Sequence, residues 1–135
     1  MNSRARFENN IIVQKSYSLA LTVVNAYRYL CEHEREYVMS KQLLRAGTSV
    51  GANVREGVRG QSEPDFAMKM TIALKEAEET AYWLELLHDS HYLAEEQFGE
   101  LYRLTDEVIR ILSSITKTTY EKLNSKNSSF IIPHS

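Results

Sequence analysis

The chain has one cysteine, Cys31, so no disulfide can close within it. Proline occurs twice and glycine five times among 135 residues, too seldom for a fold built on many tight turns. Strand-like alternation of apolar and polar residues is missing over any useful window. No run of about 20 apolar residues is present to span a bilayer. No leader with a basic start, an apolar centre and a small-residue cleavage site precedes the first periodic segment, so a cytoplasmic protein is expected. A strong charge of one sign is lacking too: 16 basic residues face 18 acidic ones, for a net charge of −2. That balance excludes a protein that binds polyanions over its whole surface, and any such contact has to be local.

What remains is helical periodicity, and with it an all-α, single-domain chain. Residues 1–8 read as a flexible arm, 9–123 as the folded domain, and 124–135 as a polar, disordered tail. Within that tail Phe130, Ile131 and Ile132 are candidates to dock on a neighbouring copy. Asn9 or Asn10 is placed to cap a first helix that runs to about Cys31. A charged connection, Cys31 to Glu36, leads to a second helix from about Val38 to Val58 or Gly60. The break at Gly60 to Asp65 carries a cap, Ser62, with Pro64 in the first turn, and opens a third helix that runs to about Ser90. Its core side is read as Phe66, Met70, Ala73, Leu74, Ala77, Ala81 and Leu84. Glu95 and Glu96 favour the start of a fourth helix through its dipole, and Leu101, Leu104, Val108, Ile111 and Ile115 have the spacing of a packing seam.

The first helix has more apolar surface than one bundle needs. Gln14, Lys15, Ser18, Thr22, Asn25 and Arg28 crowd into about 140°, leaving an apolar arc of roughly 220°. The excess, with Leu19, Val23 and Leu30 on it, predicts self-association. The mixed outer side of the third helix, with Met68, Ile72, Trp83 and Leu86 beside Glu76 and Glu79, reads as the other half of a subunit contact.

Lys41 to Arg59, KQLLRAGTSVGANVREGVR, is the most informative stretch. Leu43, Leu44, Gly47, Val50, Gly51, Val54, Gly57 and Val58 share one side, and Lys41, Arg45, Thr48, Ala52, Arg55 and Arg59 share the other. An interior glycine costs roughly 1 kcal/mol against alanine in a helix, so Gly47 and Gly51 imply close approach of another backbone, expected at an oligomer contact. Ser49 and Asn53 sit on the shoulder between the faces.

The run from Gln42 to Gly57 resembles the signature of the 23S rRNA intervening-sequence protein family, whose members are four-helix bundles. Glu76 to Leu87, EAEETAYWLELL, is similar to that family's third-helix motif, and with helix lengths and order the resemblance covers roughly residues 8 to 123. It departs in two places: Tyr17 stands where the family often has tryptophan, and the proline common before the second helix is missing. The resemblance implies an antiparallel up-down bundle that assembles as a cyclic homo-oligomer, a pentamer, with no established enzymatic activity. The accessory protein of diversity-generating retroelements is a similar pentameric bundle thought to bind nucleic acid, but this chain does not match it motif by motif.

Lys41, Arg45, Arg55 and Arg59 are therefore the candidate contacts to an RNA or DNA backbone, since phosphate contact at several points needs charge rather than base reading. Against them stands the reading of a protein-interaction scaffold, in which these residues pair with acids across a subunit boundary, or in which Glu56 and Glu76 pair with Arg45 or Arg55. A ferritin-like metal bundle is the remote alternative. Glu85-Leu86-Leu87-His88 is one E-x-x-H run, whereas that chemistry needs two together with a glutamate from each remaining helix. No nucleophile and base constellation, phosphate-cradling loop, cofactor motif or small-molecule site stands out, and His88 and His91 read as surface or capping residues. A non-enzymatic protein is expected.

Overall fold

The structure, a computed structural model, describes residues 10–60 and 62–126. It consists of four helices, α1 (Ile11–Glu32), α2 (Met39–Arg59), α3 (Glu63–Asp89) and α4 (Glu95–Lys126), and the described residues contain no strand. α1 packs on α2, α2 on α3, and α3 on α4, while α1 and α4 close the circuit more loosely.

Local chemistry sets the helix ends. The Asn10 side chain accepts a hydrogen bond from the Val13 N–H at 3.3 Å, and Ser62 Oγ accepts one from the Asp65 N–H at 3.2 Å, with Pro64 in the first turn of α3. α2 begins differently. Glu36, 8% exposed, folds its carboxylate over the helix start and accepts from the N–H groups of Val38, Met39 and Ser40 at 3.1, 3.0 and 2.7 Å. Burial pushes this carboxyl up, but the three backbone donors and the Ser40 side chain outweigh it and hold the group below the usual carboxylate range. α3 ends in a Schellman motif, with the Tyr92 N–H on Leu87 O at 2.8 Å, the His91 N–H on His88 O at 3.0 Å, and His91 itself at φ 70°. α4 continues past the expected boundary at 123 as far as Lys126, because Lys122 and Lys126 both reach Glu63 on α3, at 3.5 and 2.9 Å. The expectations for residues 1–9 and 127–135, including the arm and Phe130, Ile131 and Ile132, lie outside the described residues.

One core runs the length of the four helices, filled by Leu19, Val23 and Leu30 of α1, Leu43, Val50 and Val54 of α2, Met70, Leu84 and Leu87 of α3, and Val108 and Leu112 of α4. Three of its buried hydroxyls return to their own helices, Ser16 to Val13 O, Thr80 to Glu76 O and Thr105 to Leu101 O, and Ser40 donates to Glu36 O just ahead of α2. In α4 the buried positions are Leu101, Thr105, Val108 and Leu112, so Leu104, Ile111 and Ile115 sit on the shoulder instead of the seam. A threonine that satisfies itself can occupy a core position, and that turns the helix from the all-apolar register.

Four residues expected at a subunit contact lie inside the single chain instead. Leu19, Val23 and Leu30 are 0% exposed inside the single chain, because α1 inserts this edge between α2 and α4. The apolar surplus lies on another edge, at Tyr17 and Leu21, with Val24 half-buried beside them. Gly47 is likewise spent within the chain. A Cβ there would stand 2.7 and 2.8 Å from the two Val23 methyls, and one at Gly51 would stand 3.3 Å from the Ser16 carbonyl oxygen.

Because Val23 is β-branched and has few rotamers to retreat into, Gly47→Ala is expected to destabilise the fold by about 1–3 kcal/mol. Urea denaturation checks this. The cost of the glycine substitution should shrink in a Val23→Ala background, which removes the opposing methyls.

Candidate polyanion-binding face and subunit surfaces

With Leu43, Ala46, Val50 and Val54 turned inward, α2 has to present Lys41, Arg45, Ala52 and Arg59 to solvent, and all four are exposed, with Arg55 half-buried. The expected stripe therefore exists as a face, but its members are not equivalent. Arg45 reaches over to α3, where Nη1 donates to Glu76 Oε2 at 2.8 Å and Nη2 donates to Glu79 Oε2. Glu79 also accepts from Trp83 Nε1 at 3.0 Å, and that hydrogen bond, with Arg45, holds its carboxyl below the usual range against the opposing effect of desolvation. The same two carboxylates hold the Arg45 guanidinium above its ordinary value. Arg45 is thus a tie between α2 and α3. The anticipated pairing of Glu76 with Arg45 is present, inside one chain, whereas Glu56 pairs with Lys69 at 3.4 Å.

Arg55 lies over the ring of Tyr17 on α1, 5.1 Å from its centroid, a cation–π contact. Beneath them is an open groove of about 230 Å³ between α1 and α2, with Ala20, Thr48, Gly51 and Ala52 in its lining. Gly51 serves here both as the close approach to Ser16 and as part of the groove.

Charge is segregated by helix pair. α1 and α2 carry six basic residues against two acidic ones, and α3 and α4 carry seven against thirteen. On α3, Met68, Ile72, Tyr82 and Leu86 are exposed at 59, 37, 56 and 36%. With Lys75 and Glu79 between them they step four and three residues apart along one outward line. Trp83, half-buried, packs edge-on against Tyr82 with ring centroids 5.0 Å apart. Of the residues assigned to a subunit contact from the sequence, Ile72, Leu86 and Trp83 are thus on the surface and Gly51 is in the groove. Tyr17, Leu21 and Tyr82 were missed as a set, although their spacing was legible.

The model for the 23S rRNA-intervening sequence protein family matches residues 8–114. The chain belongs to that family. Among solved structures it is similar to a protein of unknown function from the S23 ribosomal protein family of Bacteroides thetaiotaomicron, at 47% identity and a TM-score of 0.78, covering 80% of this chain and 96% of that one. No curated protein matches it.

In this member of the 23S rRNA-intervening sequence protein family, the residues that suggested a metal bundle have other uses. Glu85 accepts a hydrogen bond from Tyr102 on α4 at 3.1 Å, and His88 Nε2 meets Glu95 at 2.8 Å while its ring stacks on Phe98 with centroids 4.1 Å apart. The described residues bring together no cluster of three or more metal-ligating side chains. None of their helices is long and apolar enough to cross a membrane.

Two outcomes are expected. Arg45→Met, which keeps the stem and removes both ion pairs, should lower stability by about 1 kcal/mol or less in urea, since the pairs are half-exposed and screened. The hydrogen bond to Glu95, helped by Asp89, raises the His88 pKa above its ordinary value, so the stability it contributes is complete below the unfolded-state value and is lost as pH rises through the higher folded one. The gap in melting temperature between the protein and His88→Gln should accordingly be wider at about pH 5 than at about pH 9.

Proposed function

We propose that this chain is a non-catalytic, self-associating bundle whose acid-poor face binds an RNA or DNA backbone without reading sequence. The helices run up-down and antiparallel in this reading. The order of contacts supports it: Gly57, late in α2, meets Met70 early in α3, whereas Arg45, early in α2, reaches the more distant Glu76 and Glu79. Tyr102 of α4 likewise meets Glu85, and Tyr120 meets Thr71. The family relation supports assembly as a cyclic homo-oligomer, a pentamer, in the cytoplasm, with no cofactor.

One observation carries the binding reading: the partition that leaves α1 and α2 with six basic residues and two acids on a chain whose net charge is −2. Lys41 and Arg59, outward near the two ends of α2, are assigned the phosphate contacts, with Arg55 between them. Arg45 is assigned to the fold. Repeated in each copy, even a few such residues make a multivalent surface, and multivalency amplifies weak phosphate contact. The competing reading, a protein-interaction scaffold without nucleic acid, is favoured by the engagement of Arg45 on Glu76 and Glu79 and of Arg55 on Tyr17.

A mobility-shift titration with a structured RNA separates the two. The expected result is retardation at about 50 mM salt that weakens at least tenfold by about 200 mM. It should also be lost in Lys41→Glu/Arg59→Glu, with the helical signal unchanged. No retardation at the lower salt, or equal retardation by the double variant, leaves the scaffold.

A further inference from the structure

The two outward apolar lines of the bundle sit on helices that face each other across the core, and they carry opposite electrostatic surroundings. On α1, Tyr17 and Leu21 are 42 and 52% exposed, and with Val24 and Arg28 they step four, three and four residues apart. This line borders the groove over Gly51 and Ala52, and Arg55 and Arg28 are the charges beside it. On α3, Met68, Ile72, Tyr82 and Leu86 form the second line, with Lys75 and Glu79 within it and Glu76, Glu78 and Glu85 beside it, an acidic balance even with Arg45 on Glu76 and Glu79. α1 and α3 are each packed between α2 and α4, so the chain cannot lay one line on the other.

A two-fold symmetric contact would pair a line with its own copy. It would bring like charges together and leave the other line wet. A head-to-tail contact covers both in every copy and sets acids against bases. The shapes agree as well, since the α1–α2 groove is lined by Ala20, Gly51 and Ala52 while the α3 line is made of large side chains. Resting on the self-association reading above, we propose that the α3 line of one copy docks into the α1–α2 groove of the next, with Tyr82 and Leu86 or Met68 and Ile72 as the inserted side chains. The partner of each face is a second copy of this chain, and the contact is heterologous. Arg55 stands at the groove and enters the junction, while the phosphate contacts stay assigned to Lys41 and Arg59.

The test uses two variants made at exposed positions, each checked by circular dichroism: Ile72→Asp/Leu86→Asp on the line, and Leu21→Asp/Ala52→Trp on the groove. Sedimentation at about 50 µM is expected to show an oligomer for the unaltered protein and folded monomers for each variant, with association weakened about a hundredfold. Mixed one to one, the variants should form a heterodimer and nothing larger, because each retains one intact face. If the groove variant assembles like the unaltered protein, the contact is not in the groove. If the line variant does so, it is not on α3. A mixture that stays monomeric overturns the pairing of the two faces. In all three cases the self-association reading survives, whereas an unaltered protein that sediments as a monomer removes both.

Discussion

The separation of α1 and α2 is the constraint on which the rest of the bundle turns. Gly47 lets Val23 come closer than a Cβ would allow, Gly51 holds the Ser16 carbonyl at a distance where a Cβ would be tight, and that spacing fixes how α2 is rotated. With Gly47 against α1, Leu43, Val50 and Val54 point into the core. Lys41, Ala52 and Arg59 then have no direction left except outward, and Arg45 falls within reach of α3. The conformational cost of two helix glycines, roughly 2 kcal/mol together, is offset by the packing they permit along one of the tightest edges of the bundle. Surface chemistry and core packing are in this sense one fact, since turning α2 to relieve the contact would bury an arginine or expose a valine.

The electrostatics follow from the same rotation. A stripe of four basic residues in the sequence becomes, in three dimensions, one structural residue, one residue held against an aromatic ring and two at the ends of the helix. Arg45 balances Glu76 and Glu79 and brings Trp83 into the network through Glu79. What distinguishes the α1–α2 half is the scarcity of carboxylates more than the number of cations, because the α3–α4 half has seven bases to its six but thirteen acids to its two. A low count of acids is what lets a weakly charged protein present a locally positive surface.

Much of this was legible in the residues. Ser62 and Pro64 mark the start of α3, Asn10 that of α1, and the small and large residues of α3 lie on the core side as read, because caps and periodicity are local signals. Partner identity is not local. The need for a close approach at Gly47 was readable, but not that what approaches is the Val23 side chain of the same chain. The width of the apolar arc on α1 was readable too, yet an arc of roughly 220° does not say which edge is covered twice. Leu19, Val23 and Leu30 were put on the wrong edge for that reason. α4 was misjudged by a small rotation, since Thr105 reads as polar until its hydroxyl is seen to close on Leu101. Glu36 was missed as a cap because carboxylates two to four residues ahead of the amides they bind resemble any charged loop.

On the two proposals above, assembly and polyanion binding are coupled through Arg55. A residue that enters a junction between copies cannot give its full charge to a phosphate, so the two events compete for it, and that competition offsets part of what multivalency adds to binding. Their salt dependences differ, however. Burial of Tyr82, Leu86 and their neighbours in a groove lined by small residues is an apolar contribution that salt does not screen. Contact between Lys41 or Arg59 and a phosphate releases counterions, and it fades over the range in which the Debye length falls below about 10 Å. Rising ionic strength therefore strips the polynucleotide while the apolar contact between copies persists. In that reading a multivalent surface forms before its ligand and outlasts it, because the greasy line of α1 and the basic stripe of α2 lie on adjoining helices.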